Sequence, residues 1–580
     1  MRNWRANFTL IFFILLGATI IGRLVYIQIL RYDYYRALAQ GQQKIFQEIS
    51  GDRGEIFLKD KDSLKPIAVN KTWYFCYADP NEIKNKEETA KILSQILTLN
   101  EMVVLEKLKK EDSFFGILKK RLNEEEISAL KKSNLTGIYL NEEMGRYYPL
   151  ESLAAQLVGF LGGDGVGQYG LEGYFHEILK GEDQFEEKER GPLGYLMNLT
   201  EAKAKKGTNL ILTVDYNIQF MAEKLLKKAK EDLDIEAGTI LVLDPNLGKI
   251  IAMANLPSFN PNEYQKEENL TVFQNQAIQK TFEPGSIFKP ITMAAALNEG
   301  KITPQTTYKD EGFVKIGGHI ITNYQNKSWG QRTMTEVLEK SINSGAIFAE
   351  QQIGNKLFLD YIEKFGFFEP TGIDLQGEVF SKNTNFKNGY EVNFATASFG
   401  QGIEVTPIQL VRAISIIANG GKLVKPYIVE KIIEDYNPPT TSSHSDLSEW
   451  TPNKIIETQT EIQNNSVISP KIANQLTAMM VSVVENGFGK TVKIPGYYIA
   501  GKTGTAQVTW SALGIEKPGY SSMTIQSFVG FFPAFNPQFL ILVKLDNTKT
   551  PSAGYSAAPI FKELAEYIIN YKEIPPDYEL

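Results

Sequence analysis

The sequence predicts an α+β fold standing behind an N-terminal extension, and three observations predict it. First, β-forming runs bracket the region from about residue 207 onward: 210–214, 239–243 and 250–254 early, 497–509, 527–532 and 539–545 late. The stretch between them reads as helical, so one antiparallel sheet would join the two ends of the region, with helices packed on it. Second, residues 84–132 are charged and helical in pattern, unlike the β-rich region. Third, residues 8–22 are apolar and free of charge. A chain of 580 residues and ordinary hydrophobicity has room for two or three domains with sizeable cores.

Taken in order, the apolar segment comes first. Its fifteen unbroken residues fall short of the roughly 20 that a bilayer needs. After Arg23 the run resumes over 24–30, and a span over 8–30 is long enough if Arg23 lies near an interface and snorkels. Arg2 and Arg5 precede it, as they would in a cleaved signal peptide, but no small-x-small site ends the core. An uncleaved transmembrane anchor at 8–30, behind a tail at 1–7, is the favoured reading. Arg31 and Arg36 follow the span, so charge alone leaves its orientation open.

Residues 31–206 form a non-catalytic pedestal. Within it Arg53 and Glu172 are either a buried ion pair at a domain junction or solvated charges, and solvated is the commoner state for lone charges. The single Cys76 cannot make an internal disulfide and reads as a small packing residue, with a reactive thiol left open. Residues 437–465, rich in Pro, Ser, Thr and Asn, read as an exposed loop or insertion. A net charge of −7 argues against nucleic acid as a partner.

The chemistry-bearing pattern is Thr281-Phe-Glu-Pro-Gly-Ser-Ile-Phe-Lys-Pro290. A Pro-Gly turn hands over to an apolar, Ala-rich helix expected over 286–298, with Pro290 in its first turn, where a missing N–H costs little. Ser286 and Lys289 then share one face. The helix N-terminus disfavours a second positive charge, so a buried Lys289 would lose its proton easily and could deprotonate Ser286. The same spacing recurs at Ser128 and Lys131, in a charged stretch without the turn, so the pattern alone decides little. Two more segments follow in order: Ser341-Ile-Asn343 and Lys502-Thr-Gly504. Individually, Ser341 or Asn343 could cap a helix and Lys502 could be one more strand lysine. Together, SxxK, SxN and KTG form a motif set of serine acyl-transfer enzymes, and finding all three in this order makes coincidence unlikely.

Other chemistries are disfavoured. Gly496-Tyr-Tyr-Ile-Ala-Gly-Lys-Thr503 fits the phosphate-loop pattern by letter, but its Tyr-Tyr-Ile centre and the β-prone 505–510 leave neither a small-residue loop nor a following helix. The three histidines, His176, His319 and His444, have no metal-ligand spacing, and neither a zinc site nor a Ser-His-Asp triad is easily built from them.

With these motifs in place the chain resembles the class B penicillin-binding proteins, membrane-anchored peptidoglycan D,D-transpeptidases, over nearly its whole length. Arg53-Gly-Glu-Ile56, Arg146-Tyr-Tyr-Pro149, Gly159-Phe-Leu-Gly162 and Gly170-Leu-Glu172 resemble the family's pedestal elements. Leu212-Thr-Val-Asp215, Asp244-Pro245, Ala252-Met-Ala254, Gly400-Gln-Gly402, Val405-Thr-Pro407, Ala418-Asn-Gly420, Phe528-Val-Gly530 and Ala557-Ala-Pro-Ile560 resemble its catalytic signposts. The match departs at Asp60, which arrives late after Ile56, and at Glu151 and Gln156, where the family carries Gly and His.

The resemblance implies a β-lactamase/transpeptidase-like domain over 207–575, on a dimerisation-type pedestal over 31–206. It implies an acyl-enzyme on Ser286, with Lys289, Ser341, Asn343 and Lys502 catalytic. Thr503, Gly504 and Thr505 would bind substrate, and the amides of Ser286 and Thr505 would form an oxyanion hole. Stem peptides ending in D-Ala-D-Ala, an acceptor amine and β-lactams are the implied ligands, with no metal or cofactor. A polytopic glycosyltransferase is the implied partner, and the bacterial inner membrane the location, with the body outside the cytoplasm. Glu283-Pro-Gly-Ser286 and the Gly400-Gln-Gly402 region look more like division-type than elongation-type members. A D,D-carboxypeptidase, an elongation-type transpeptidase and a cell-wall scaffold remain open at this point.

Overall fold

A computed structural model of the chain describes residues 4–26, 44–49, 51–109, 116–181, 184–190, 196–198, 206–434, 454–458, 461 and 466–579. The chain divides into two compact units, Met1–Arg53 with Lys180–Gly207, and Gly54–Leu179 with Thr208–Leu580. In the first, a helix runs over Trp4–Val25. Lys44–Ile49, Gln184–Arg190 and Leu196–Asn198 form a three-stranded antiparallel sheet whose backbone register puts Lys44 opposite Glu189. Among the described residues no helix is long and apolar enough to cross a membrane. The end of the expected span, residues 27–30, lies outside the described residues.

The second unit holds two larger sheets. One is seven-stranded, running Lys454–Glu457, Val429–Glu434, Asn209–Asp215, Ile56–Asp60, Ser63–Ala78 and Gly116–Lys119, with Ile138–Tyr147 added to the long Ser63–Ala78 strand. The charged stretch at 84–132 supplies its helices, Lys86–Leu97, Glu101–Lys109 and Glu124–Ser133, which turn Leu93, Leu97, Val104, Leu108 and Leu130 onto a shared core. Ser128 and Lys131 are both exposed on the last of these helices. Gly54 sits where a Cβ would meet the Thr208 carbonyl oxygen at 2.0 Å, so only glycine lets these two strand ends close.

Two expectations change here. Strand 209–215 does not enter the sheet that joins the ends of the later region; it pairs in parallel with Ile56–Asp60 and antiparallel with Val429–Glu434. Within the expected loop at 437–465, Lys454–Glu457 is a strand against Val429–Glu434, because Ile455 and Ile456 give it a β-forming centre. The solvated reading of Glu172 is also overturned. Its carboxylate is fully buried and accepts from Arg146 Nε at 2.7 Å and from the Tyr148 hydroxyl at 3.3 Å. Arg53 is likewise buried.

The five-stranded sheet positions the site. Its strands are β1 (Ala237–Leu243), β2 (Ile250–Leu256), β3 (Ala500–Thr509), β4 (Tyr520–Phe532) and β5 (Phe539–Asp546), in the order β2-β1-β5-β4-β3, all antiparallel. Alternation splits their side chains between two cores. Leu241, Leu243, Val529, Phe531, Leu540 and Leu542 face the helices Lys289–Asn298, Pro407–Ala418 and Pro470–Asn486. Ile240, Val242, Phe528, Ile541, Val543 and Leu545 face Tyr216–Leu233 and Ala557–Tyr571. Each such side chain, fully buried, contributes about 1.5–3 kcal/mol, so a sheet covered on both faces is a rigid platform. Strand β3 lies at its edge and carries Lys502-Thr-Gly504.

The loop ahead of Pro407–Ala418 is pressed against the turn before Ser286. Gly400 has φ +82, its carbonyl accepts the Gly285 N–H at 2.9 Å, and a Cβ on it would lie 2.2 Å from the Gly285 oxygen. Gly400→Ala is therefore expected to lower the free energy of unfolding by roughly 1–3 kcal/mol in urea titrations. A variant as stable as the parent would show that the two turns are not held in contact.

Candidate active site

Glu283-Pro-Gly-Ser286 leads into the apolar helix, but the entry is tighter than an α-helix. Gly285–Phe288 is a 3₁₀ turn, and the Lys289 N–H bonds to the Ser286 carbonyl; the α-helix proper runs over Lys289–Asn298. In a 3₁₀ turn, side chains three apart eclipse rather than splay. Ser286 Oγ accordingly stands 2.9 Å from Lys289 Nζ.

The other two segments converge on the same amine. Lys289 Nζ lies 2.6 Å from the Ser341 carbonyl oxygen, 3.2 Å from Ser341 Oγ and 2.9 Å from Asn343 Oδ1. Lys502 Nζ lies 2.9 Å from Ser341 Oγ and 3.0 Å from the Thr503 carbonyl. Ser341 is thus the hinge between two amines, and it holds a left-handed backbone, φ +55, that turns both its carbonyl and its hydroxyl inward. A Cβ on Gly504 would meet Ser527 Oγ at 2.6 Å and the Pro284 oxygen at 3.1 Å, so its absence lets strand β3 lie directly against the turn before Ser286. Across the same gap Gly285 faces Ala506. Ser286 and Thr505 are therefore on facing segments, and Thr505 Oγ1 accepts the Ala553 N–H at 3.3 Å.

Protonation follows from burial. Lys289 and Lys502 both have 0 % exposure. Burial, and after it the charge of Lys502, holds the Lys289 amine well below the usual lysine range. Burial alone brings Lys502 down to about 7. The Ser341 carbonyl and Asn343 Oδ1 accept from the amine, and Lys289 Nζ also lies within donating distance of Ser286 Oγ. In the neutral form that burial favours, an amine keeps two N–H donors and one lone pair, and the lone pair can receive the Ser286 O–H. A hydroxyl aimed at the lone pair of a buried amine can act as a nucleophile once the amine accepts its proton.

Glu283 carries more than its place in the motif suggests. The Tyr520 hydroxyl donates to Glu283 Oε2 at 3.0 Å, and the Gly402 N–H donates to the same carboxyl, so three segments around the nucleophile turn are tied at one point. Tyr520 had no signal in sequence, since its partner is 237 residues away. No group of three or more potential metal ligands occurs among the described residues, Cys76 is buried with its thiol pushed up to about 12, and Gly496-to-Thr503 runs into strand β3 instead of a helix.

Fold and motif set together are those of a serine-type acyl-transfer enzyme. The penicillin-binding protein transpeptidase domain model matches residues 238–566, and the penicillin-binding protein dimerisation domain model matches 48–212. Stage V sporulation protein D of Bacillus subtilis is 32 % identical over 574 residues, covering 96 % of this chain and 84 % of that protein. A peptidoglycan D,D-transpeptidase FtsI homolog of Mesostigma viride is 29 % identical over 578 residues, covering 97 % and 94 %. Penicillin-binding protein 2X of Streptococcus thermophilus shares the fold with a TM-score of 0.70 at 22 % identity, over 91 % of this chain and 80 % of that one. The chain belongs to the penicillin-binding protein transpeptidase family.

Burial raises the Glu283 carboxyl to about 7, against the pull of Tyr520 and Gly402 and with a further push from Glu404. In the unfolded chain the same group ionises near 4.5. Its contribution to stability is therefore complete below about 4.5 and is lost as pH rises toward 7. Relative to Glu283→Gln, the parent should lose roughly 1–3 kcal/mol of unfolding free energy across that window, read by denaturant titration at several pH values. Parallel pH profiles for the two proteins would contradict it.

Proposed function

We propose that this chain cross-links peptidoglycan stem peptides through an acyl-enzyme on Ser286. The observation that carries the reading is the Lys289 amine, buried, 2.9 Å from Ser286 Oγ and in contact with the Ser341 and Asn343 segment. The chain is a serine-type peptidoglycan D,D-transpeptidase, a penicillin-binding enzyme of the cell wall. Lys289 takes the Ser286 proton as Oγ attacks the carbonyl of the penultimate D-Ala, and the C–N bond to the terminal D-Ala breaks. Ser341 Oγ, between Lys289 and Lys502, passes a proton to the departing amine. A second stem peptide's amine then attacks the ester, returns its proton to the same relay and frees Ser286.

Asn343 holds the donor's backbone amide. The Thr503 and Thr505 hydroxyls meet its terminal carboxylate beside Lys502. The amides of Ser286 and Thr505 receive the oxyanion, a device whose single donors are typically worth ~10²- to 10³-fold in rate. β-Lactams resemble the D-Ala-D-Ala end and acylate the same serine. No metal or cofactor enters these steps.

Residues 31–206 are assigned to a non-catalytic pedestal domain and 207–575 to the transpeptidase domain, with 1–7 as cytoplasmic tail and 8–30 as anchor. Support for the anchor is the charge-free apolar run at 8–22, helical over Trp4–Val25. The catalytic body then lies outside the cytoplasm at the bacterial inner membrane. A septal role is supported by the FtsI and sporulation names of the two relatives and by the Glu283-Pro-Gly-Ser286 motif. A polytopic glycosyltransferase would supply the glycan strands.

Intact-mass and peptide-mass spectrometry after penicillin treatment is expected to place one adduct on Ser286; an adduct elsewhere, or none, would refute the assignment. Lys289→Ala is expected to slow acylation by about 10²- to 10⁴-fold without unfolding the protein, read with a fluorescent penicillin. The parent's acylation rate should rise with pH as Lys289 loses its proton and level off well below the ordinary lysine range. A rate still climbing toward 10.5 would show that Lys289 is not neutralised by burial.

A further inference from the structure

Asp310 ends the strand Thr307–Asp310, is 2 % exposed, and carries a carboxylate surrounded by donors. Oδ1 accepts the Ser344 hydroxyl at 2.6 Å and the Gly312 N–H at 2.9 Å. Oδ2 accepts the Trp329 N–H at 2.8 Å. Asn323 Nδ2 lies 3.0 and 2.9 Å from the two oxygens. All four donor groups are uncharged. A buried carboxylate held this way is costly to keep and costly to disturb.

What the carboxylate holds gives its purpose. Ser344 follows Asn343 at the start of the helix Asn343–Ile353. Asn323 follows Thr322, whose carbonyl accepts Asn343 Nδ2 at 3.1 Å. Asn323 Oδ1 in turn accepts the Ser344 N–H at 3.0 Å. Both anchors of the Asn343 amide, its own backbone and the Thr322 carbonyl, are therefore one residue away from a direct partner of Asp310. With Nδ2 held by Thr322, Oδ1 is left to face Lys289 Nζ at 2.9 Å. If the 322–323 and 343–344 segments slipped apart, the amide could turn and offer Lys289 a donor instead of an acceptor.

We propose that Asp310 is a positioning residue for acyl transfer: by clamping Ser344 and Asn323 it fixes the side chain of Asn343 against Lys289 and against the substrate amide. This rests on the acyl-transfer reading of Ser286 and Lys289. Neither the SxN motif nor its spacing points to Asp310, which lies 34 residues before Ser344 and touches none of the reacting atoms.

Asp310→Asn keeps the size but turns an N–H toward one of the donors. Ser344→Ala removes the 2.6 Å contact together with the longer contacts of the same hydroxyl to Asn323 Oδ1 at 3.2 Å and the Tyr308 hydroxyl at 3.3 Å. Acylation by a fluorescent penicillin, followed over a range of concentrations, separates the first-order acylation constant from the dissociation constant of the non-covalent complex. Asp310→Asn is expected to lower the acylation constant about 10- to 100-fold, since a misplacement near 1 Å costs that much, while the dissociation constant and melting temperature stay close to the parent's. Ser344→Ala is expected to lower it less, and the double variant to be no slower than Asp310→Asn, because the two residues act as one unit. An Asp310→Asn protein that acylates at the parent's rate overturns the proposal. So does one that only melts earlier while its folded fraction acylates normally. If Asp310→Asn does not fold, Ser344→Ala decides: an unchanged acylation constant overturns the proposal and a lowered one upholds it. Failure of the parent itself to acylate at Ser286 would instead remove the acyl-transfer reading.

Discussion

Two lysine amines buried against one serine hydroxyl are the constraint on which this site depends. Lys289 Nζ and Lys502 Nζ both lie within about 3 Å of Ser341 Oγ, so they are no more than about 6 Å apart. Two positive charges at that distance repel by about 3 kcal/mol at an effective dielectric of 20, and each also pays for desolvation. The doubly protonated site is the state the protein disfavours. Burial and the charge of Lys502 both depress Lys289, whereas burial alone depresses Lys502, so Lys289 is the amine favoured to be neutral. Lys502 is left as the amine that titrates near neutrality, suited to exchanging a proton through Ser341.

This constraint explains the local backbone. An ordinary α-turn would leave Ser286 and Lys289 on one face but not eclipsed; the 3₁₀ turn over Gly285–Phe288 brings them together. The turn is held from outside by Gly400 behind it and by Gly504 and Ala506 of strand β3 beside it. Gly400 is needed because its backbone meets that of Gly285, and Gly504 because Ser527 Oγ, Ile287 and the Pro284 carbonyl crowd the place a Cβ would take. The five-stranded sheet, packed on both faces, gives strand β3 the rigidity to serve as one wall of the site. Sequence, turn geometry and sheet packing thus act on one pair of atoms.

How much of this could be read beforehand depended on the range of each signal. The strands at 239–243, 250–254, 527–532 and 539–545 were legible because apolar β-forming runs mark buried strands whatever their partners. Strand 209–215 has the same pattern and went to a different sheet, since periodicity records burial and not pairing. The three motif segments were legible as a set, and the structure brings Ser286, Lys289, Ser341, Asn343 and Lys502 within hydrogen-bonding reach of one another. Ser128 and Lys131 have the first motif's spacing yet point into solvent from a regular helix. Spacing was never the informative part; the Pro-Gly turn and the apolar helix behind it were. Glu283 with Tyr520, and Asp310 with Asn323 and Ser344, were illegible because each pairing joins distant segments through residue types that are common on any surface.

The site is also a standing cost to the fold. Ser341 in the left-handed region costs on the order of 1–3 kcal/mol. The buried lysines cost more, and their sign is definite. A base whose folded-state pKa is depressed binds fewer protons folded than unfolded, so the penalty grows as pH falls below the unfolded value of 10.5 and is complete once the folded value is passed. For Lys502, depressed to about 7, that penalty reaches several kcal/mol near neutrality, with one pKa unit equal to about 1.4 kcal/mol. A domain of marginal stability could not carry such terms on propensity alone. The doubly covered sheet and the large helical core on its nucleophile face offset them. Removing either amine should therefore stabilise the protein while it disables the chemistry, the sign expected of groups retained for reaction rather than for folding.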